Sequence, residues 1–182
     1  MSPRNAIRMA LMAAVLAVPA FATTVVKLNL EQLVQRADLI VQGQVQSVSS
    51  QWDEKRRLVF TTISIRVDET LKGEHSLMAL KGQSVVIRQI GGTVGTIQMS
   101  VAGLPQFKTG GRALVFLKRH DATTFQVVGM NQGLYEIKQD VAVSERHGMD
   151  LLDSKTGEMT KPLISVRAPL EQLKTKIREL LR

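Results

Sequence analysis

The chain of 182 residues contains no cysteine, one tryptophan and one tyrosine, and aromatic residues make up only 4% of it. The lack of cysteine excludes a disulfide scaffold, cysteine-ligated zinc, iron–sulfur clusters and thiol catalysis. Intrinsic disorder is disfavoured because hydrophobic residues amount to 44% and charged residues to only 22%. The length fits one ordinary domain and is too short for two large ones.

The first 22 residues have the order of a secretory signal peptide. Two early arginines precede an uncharged apolar run from Met9 to Val18, and Ala20-Phe21-Ala22 places small residues at the −3 and −1 positions. The run is shorter than the ~20 residues that span a bilayer. We expect cleavage after Ala22. Cleavage after Ala20 and retention of the segment as an uncleaved anchor are the alternatives. The mature protein would then begin at Thr23, be periplasmic or secreted, and retain no membrane span.

Removal of the signal peptide lowers the formal net charge from +8 to +6 over the remaining 160 residues. A domain of this size buries roughly 70% of its unfolded surface. It can therefore be stable in an oxidising compartment without a disulfide bond.

Most of the mature chain alternates apolar and polar residues in the manner of β-strands. The clearest strand runs from Val59 to Asp68, and another begins at Leu39 with a phase shift at Val48 that indicates a bulge. Residues 51–57 are predicted to form a hairpin loop, and the glycine turn 91–95 a tight corner with positive φ. Further strands are predicted at 85–90, 97–101, 113–118 and 125–130, with edge pairing at 135–137 and 141–143.

A helix is predicted at each end of the mature chain. Asn29 and Gln32 have the spacing of a capping box, which starts a short helix that ends near Asp38. Pro169 suits the first turn of an amphipathic helix over about 168–182. Residues 144–165 show no clear period and are predicted to be loop.

These elements predict a mainly β protein with one domain over 23–182. Its centre, at about 37–143, is expected to be a small antiparallel β-barrel that is OB-fold-like, with a short N-terminal helix and an amphipathic C-terminal helix. An immunoglobulin-like sandwich is the alternative. That alternative lacks its usual cysteine pair and core tryptophan, because Trp52 falls in a hairpin loop.

Catalytic motifs are missing from the sequence. His75, His120 and His147 lie in polar, turn-rich segments, and neither an H-E-x-x-H pair nor a G-x-S-x-G elbow occurs. A metal cluster of His147 with Asp150 and Asp153 can be drawn, but its spacing is not diagnostic. The chain is predicted to be no enzyme and to bind no metal or cofactor. A hydrolase remains an alternative, since Ser–His–Asp partners meet in space rather than in sequence.

Two basic clusters are candidates for an anion-binding rim. Lys55, Arg56 and Arg57 lie in one predicted hairpin, and Lys118 and Arg119 lie in another. If both hairpins point the same way, they form a positive surface for a polyanionic glycan or lipopolysaccharide. Nucleic acid is not expected, because export removes the chain from it and the strand aromatics suit the core better than base stacking. The simpler alternative is that the charge keeps an exported protein soluble.

Four runs of the sequence follow one another in a recognisable order. The first is Ala37-Asp38-Leu39-Ile40-Val41-Gln42-Gly43-Gln44-Val45, a passage from helix to first strand. The later ones are Glu69-Thr70-Leu71-Lys72-Gly73, the stretch from Val86 to Gly95, and Leu114-Val115-Phe116-Leu117. Together they resemble netrin-like domains, a family that includes the tissue inhibitors of metalloproteinases, over roughly residues 37–130.

This resemblance implies an OB-fold barrel with an edge that faces a protease. In the inhibitors the free amino terminus ligates the zinc of the target and the second residue enters a substrate pocket, roles that fall here on Thr23 and Thr24. Thr93 and Val94 fall in the loop that flanks this wedge. The family pins its amino terminus with disulfides, and this chain has none. An amino terminus that is not pinned loses entropy on binding.

The sequence therefore predicts an exported, non-enzymatic, OB-fold-like binding module that binds or inhibits an exported metalloprotease. A protein of the cell envelope that binds a polyanion is the alternative.

Overall fold

A computed structural model describes residues 24–55, 57–73, 80–146, 150–152, 156–157, 159–160 and 164–182. The predicted signal peptide and Thr23 lie outside the described residues. Within them the chain forms thirteen strands, two α-helices and one 3-10 turn. The prediction of a mainly β protein with a helix near each end is confirmed.

The elements follow one another from the N-terminal strand to the C-terminal helix. In chain order they are β1 (Thr24–Val26), α1 (Leu30–Arg36), β2 (Leu39–Trp52), β3 (Val59–Lys72), β4 (Ser84–Ile90), β5 (Gly92–Val94), β6 (Ile97–Met99), β7 (Arg112–Arg119), β8 (Thr124–Val127), the 3-10 turn (Met130–Gly133), β9 (Leu134–Lys138), β10 (Val141–Arg146), β11 (Asp150–Leu152), β12 (Met159–Thr160), β13 (Ile164–Pro169) and α2 (Leu170–Leu180).

Eight strands form one sheet in the order β13-β10-β9-β7-β2-β3-β4-β8, and a further pairing of β7 with β8 closes a ring of five strands. The ring comprises β2, β3, β4, β8 and β7. Its neighbours are antiparallel except for β4 and β8, which are parallel. Two smaller sheets flank it, β1-β11-β12 and the hairpin β5-β6.

The ring is built on the long hairpin of β2 and β3, which pair along their whole length. A register shift between Val45 and Ser47 confirms the bulge predicted near Val48. Such shifts bend a long strand and allow one strand to contact both of its neighbours around the ring. The interior is apolar and includes Val41, Val45, Ile63, Ile65, Val85, Ile87, Val115, Leu117 and Phe125.

A second core lies on the outer face of the sheet, where both helices cover it. The capping box of α1 is confirmed, since the Asn29 side chain accepts from the Gln32 amide at 2.8 Å and the Gln32 side chain accepts from the Asn29 amide at 3.0 Å. Leu33 of α1 and Ile177 of α2 are both fully buried. They pack with residues of the sheet that include Ile40, Leu114, Phe116, Tyr135 and Ala142.

The prediction of loop over 144–165 is wrong. In the described part of that range, β10 extends to Arg146, and β11, β12 and the start of β13 are strands. β10 pairs with β13 over six residues, from Val141 opposite Pro169 to Arg146 opposite Ile164. Strands of two or three residues are too short for a period of two to be recognised, and Pro169 ends β13 rather than lying inside the helix.

An ion cluster fastens α2 to β3. Lys174, whose side chain is only 7% exposed, lies 2.8 Å from Glu69 and 2.9 Å from Glu171, and Arg178 donates to Glu69 at 2.6 Å. Burial alone would raise the pKa of the Glu69 carboxyl, but the hydrogen bonds from Lys174 and Arg178 outweigh it and hold that pKa below its ordinary value. The pKa of Lys174 is raised, because its bonds to the two carboxylates outweigh its burial.

The stability of the protein should therefore depend on pH through Glu69. An unfolded glutamate takes up its proton near pH 4.5 and the folded one only at a lower pH, so this stabilisation is present above pH 4.5 and is lost as the pH falls through the folded pKa. We expect Glu69→Gln to lower the free energy of unfolding at pH 7 by about 1 kcal/mol, since the carboxylate is partly exposed. The difference from the wild type should shrink towards pH 3 in urea titrations.

Glu171→Gln is the matched control for this prediction, because Glu171 also contacts Lys174 but its side chain is 74% exposed. It should change the stability much less. An equal loss in both variants, or a loss in Glu69→Gln that persists unchanged at pH 3, would contradict the assignment.

Candidate functional site

The first described residues form an extended segment that is held to the rest of the protein. β1 pairs in parallel with β11, Thr24 opposite Asp150, and the amide of Lys27 donates to the carbonyl oxygen of Leu152 at 2.9 Å. Thr24, a predicted wedge residue, is thus paired through its backbone. Thr23 lies outside the described residues.

Gln132 holds the same segment from the other side. Its side chain is fully buried, its Nε2 donates to the carbonyl oxygen of Val26 at 3.0 Å, and its Oε1 accepts from the amide of Leu28 at 2.8 Å. A single amide side chain therefore makes the two hydrogen bonds that a neighbouring strand would make. Leu28 is buried against Gly129, where an added Cβ would come within 2.6 Å of the leucine Cδ1.

The expectation of an unpinned amino-terminal segment is therefore wrong from residue 24 onwards. Hydrogen bonds to β11 and to Gln132 fix its path, and the buried Leu28 anchors its end. Sequence reasoning missed Gln132 because its partners lie more than a hundred residues away in the chain.

The second region contains the other two predicted interaction residues. Thr93 and Val94 belong to β5, which forms a hairpin with β6 through a two-residue turn at Gly95 and Thr96. The Thr93 side chain is exposed and Val94 is half-buried. The corner with positive φ is confirmed, with φ of 93° at Gly91, the residue before β5, and 60° at Gly95.

A cleft of about 270 Å³ lies between this hairpin, the ring and the chain that follows β6. In its wall the hydroxyls of Ser50 and Thr61 are 2.8 Å apart, and Thr61 donates to the carbonyl oxygen of Gly91 at 2.6 Å. A Cβ at Gly92 would collide with both hydroxyls, so the close approach requires glycine. Gln89 donates through Nε2 to the carbonyl oxygen of Pro105 at 3.2 Å, while its buried Oε1 has no hydrogen-bond partner.

The cleft is lined by uncharged side chains, although the chain as a whole is basic. None of the residues that line it is charged. The surrounding sequence from Gln89 to Phe107 contains no Asp, Glu, Lys or Arg. Sequence reasoning missed this cleft, although the uncharged run was a visible signal. One hydrogen bond connects the two regions. The amide of Asn131, the residue before Gln132, donates to the carbonyl oxygen of Gly103, the residue before Leu104 in the cleft wall, at 2.9 Å.

The two basic clusters lie in different connections of the ring. Leu117, which precedes Lys118, pairs with the first residue of β2, whereas the hairpin with Lys55 and Arg57 follows the last. Around the other side of the ring, β8 and β4 connect Arg119 to Ile63, four residues after β3 begins. Arg56 lies outside the described residues.

The second cluster is also partly neutralised where it lies. Lys118 contacts Asp38 at 2.7 Å, and Arg119 lies over the ring of Phe125 at 5.1 Å. The slight burial of Asp38 would raise the pKa of its carboxyl, but the bonds from Lys118 and from the Arg119 amide outweigh it and lower that pKa. A positive surface made of both clusters therefore stays a prediction.

The histidines offer little for catalysis in the part of the chain that the structure describes. His120 is exposed, while His75, His147 and Asp153 lie outside the described residues. Among the described side chains no three His, Asp or Glu groups lie together as a metal site would need. None of the described helices is both long and apolar enough to cross a bilayer.

No protein-family model matches this chain, and no curated protein matches it. A function for the chain must therefore be inferred from the held amino-terminal segment and the uncharged cleft.

Proposed function

We propose that this chain is an exported, non-enzymatic binding module with an OB-fold-like ring, and that it binds and inhibits an exported metalloprotease through its amino-terminal segment. The order of the ring supports the fold assignment. If β2, β3, β4, β7 and β8 are numbered one to five, their order around the ring is one, two, three, five and four. Strands three and five, which are β4 and β8, are parallel. This order is that of a five-stranded OB-type barrel.

The observation that carries the proposal is the pair of hydrogen bonds from the Gln132 side chain to the backbone of Val26 and Leu28. A segment that is already extended and held loses little conformational entropy when it binds a partner. Gln132 and β11 thus supply what disulfides supply in the inhibitors that the sequence resembles. Only Thr23 would separate the held strand from the expected cleavage site, so a mature amino group would sit at the end of a rigid strand.

Thr93 and Val94 belong to the same proposed surface. The hairpin that contains them borders the cleft, and Leu104 in the cleft wall follows Gly103, which accepts from the Asn131 amide. In the proposal a partner bound at the amino terminus also contacts the exposed Thr93, as the resemblance to the inhibitors implies. This arrangement needs no catalytic residue, because the amino group itself supplies the metal ligand.

The amino-terminal model predicts that one added residue abolishes inhibition. The protein beginning at Thr23 should inhibit zinc proteases of the thermolysin and metzincin classes, assayed with a fluorogenic peptide. A form with one glycine before Thr23 should be at least about a hundredfold weaker, since the amine no longer reaches the metal. Inhibition should also strengthen from pH 6 to pH 8, because only the neutral amine ligates zinc and an α-amino group has a pKa of about 7.7–8.0.

The control for that test is the same glycine added after Arg182, which should leave inhibition unchanged. Equal inhibition by the two amino-terminal forms, or none by either, means that the amino terminus is not the inhibitory wedge.

Removal of the Gln132 side chain should release the amino-terminal segment. Gln132→Ala leaves the buried Leu28 amide and the partly exposed Val26 carbonyl without their side-chain partner, which costs about 1–3 kcal/mol, mostly at Leu28. The Leu28 amide should lose protection in hydrogen exchange, and inhibition should weaken. Gln132→Glu keeps an acceptor for the Leu28 amide but sets a buried carboxyl oxygen against the Val26 carbonyl, so it should restore only part of the protection at Leu28.

Gln126→Ala is the matched control, since Gln126 is an exposed glutamine on β8. It should change neither quantity. Unchanged exchange at Leu28 in Gln132→Ala would show that this side chain does not hold the segment.

A further inference from the structure

We propose that the uncharged cleft binds an extended, uncharged polypeptide segment, which adds to β6 as a third strand of the β5–β6 sheet. This goes beyond the amino-terminal wedge and rests on the proposed function only in taking a polypeptide as ligand. Addition of a strand to a sheet edge is a common way of binding peptides.

The edge of β6 has its hydrogen-bonding groups free at Gln98. Val94 pairs with Ile97 across a two-residue turn, so these two residues exchange the hydrogen bonds that close the hairpin. Pairs alternate along an antiparallel ladder, so in the next pair the amide and carbonyl of Gln98 point away from β5. Within the described residues no group hydrogen-bonds to either of them. A bound strand would find one donor and one acceptor there.

The wall of the cleft beside this edge contains a further acceptor beneath its surface, which a ligand reaches by displacing the residues that cover it. The Gln89 Oε1 atom is buried and has no partner, while its Nε2 is held by the carbonyl oxygen of Pro105. A buried acceptor without a partner costs free energy until a donor reaches it. The backbone N–H of an extended peptide is a donor that suits it.

The charge of the site selects the ligand. A charged side chain placed in a cleft with no charged residue would lose hydration and gain no partner. Natural sheet edges are commonly protected by lysine or proline, and β6 has neither, while its Ile97 side chain is 52% exposed. A segment with apolar and neutral polar side chains would cover Ile97 and satisfy the edge.

Two other uncharged ligands fit the cleft less well. Its volume lies just below the ~300–1,000 Å³ of pockets that take drug-sized molecules. A neutral glycan would need an exposed ring for stacking, and Phe107, the aromatic residue in the lining, is half-buried. An extended peptide needs only the free edge and the acceptor.

The test begins with a phage library of random heptapeptides selected on the protein that begins at Thr23. A selected peptide is then synthesised with a fluorescent label, and its Kd is measured for three proteins. Gln98→Pro removes the outward N–H and leaves the β5–β6 ladder intact, so binding should weaken about tenfold or more. Gln98→Ala keeps the N–H and should bind within about twofold of the wild type.

Hydrogen exchange gives a measurement that does not depend on the fold of a variant. In the wild type the Gln98 amide should exchange at least about tenfold more slowly when the peptide is bound, because it becomes paired. Selected sequences that are rich in charge, an equal loss in Gln98→Ala and Gln98→Pro, or unchanged exchange at Gln98 would each overturn the proposal. So would an absence of enriched peptides in the selection.

The form with a glycine before Thr23 separates this proposal from the amino-terminal wedge. It should bind the selected peptide with unchanged Kd even where it inhibits no protease. If peptide binding is lost together with inhibition, the cleft is not a separate site and the proposal fails. If peptide binding persists while the protein beginning at Thr23 inhibits no protease, the wedge alone fails.

Discussion

The burial of β7 on both faces is the constraint on which the rest of the structure depends. Val115 and Leu117 face the interior of the ring, while Leu114 and Phe116 face the outer core beneath the helices, and all four are fully buried. β7 pairs with β2, β8 and β9, so it closes the ring and also joins the ring to the outer strands. A strand that is apolar on both faces must be covered on both, which is why the chain needs both a closed ring and two terminal helices.

The position of the amino-terminal segment, residues 24–28, follows from the same arrangement. β8 returns from β7 and leads into the 3-10 turn, where Gly129 has a φ of 64° and Met130 a φ of 60°. Two consecutive left-handed residues reverse the chain sharply and place Gln132 beside the segment that precedes α1. The left-handed conformation is unfavourable for Met130, because it has a Cβ. The hydrogen bonds of Gln132 and the burial of Leu28 offset this free energy.

The elements that the sequence predicted correctly depend on residues that lie close together in the chain. The capping box at Asn29 and the alternation in β3 were visible because each depends on neighbours within a few residues. The strands after Arg146 were missed because β11 and β12 are only two or three residues long and because β13 is stabilised by its pairing with β10. Gln132 and the cleft depend on contacts between distant parts of the chain, which no local pattern encodes.

The uncharged edge of β6 raises the question of why copies of this chain would not pair through it. A net charge of +8, or +6 after removal of the expected signal peptide, makes two copies repel each other at distances beyond contact. An edge of three residues offers too few hydrogen bonds to overcome that repulsion and the entropy of association. A neutral partner of the kind proposed would meet no such repulsion and would gain additional contacts in the cleft. The net charge would thus favour such a partner over a second copy of the chain at this edge.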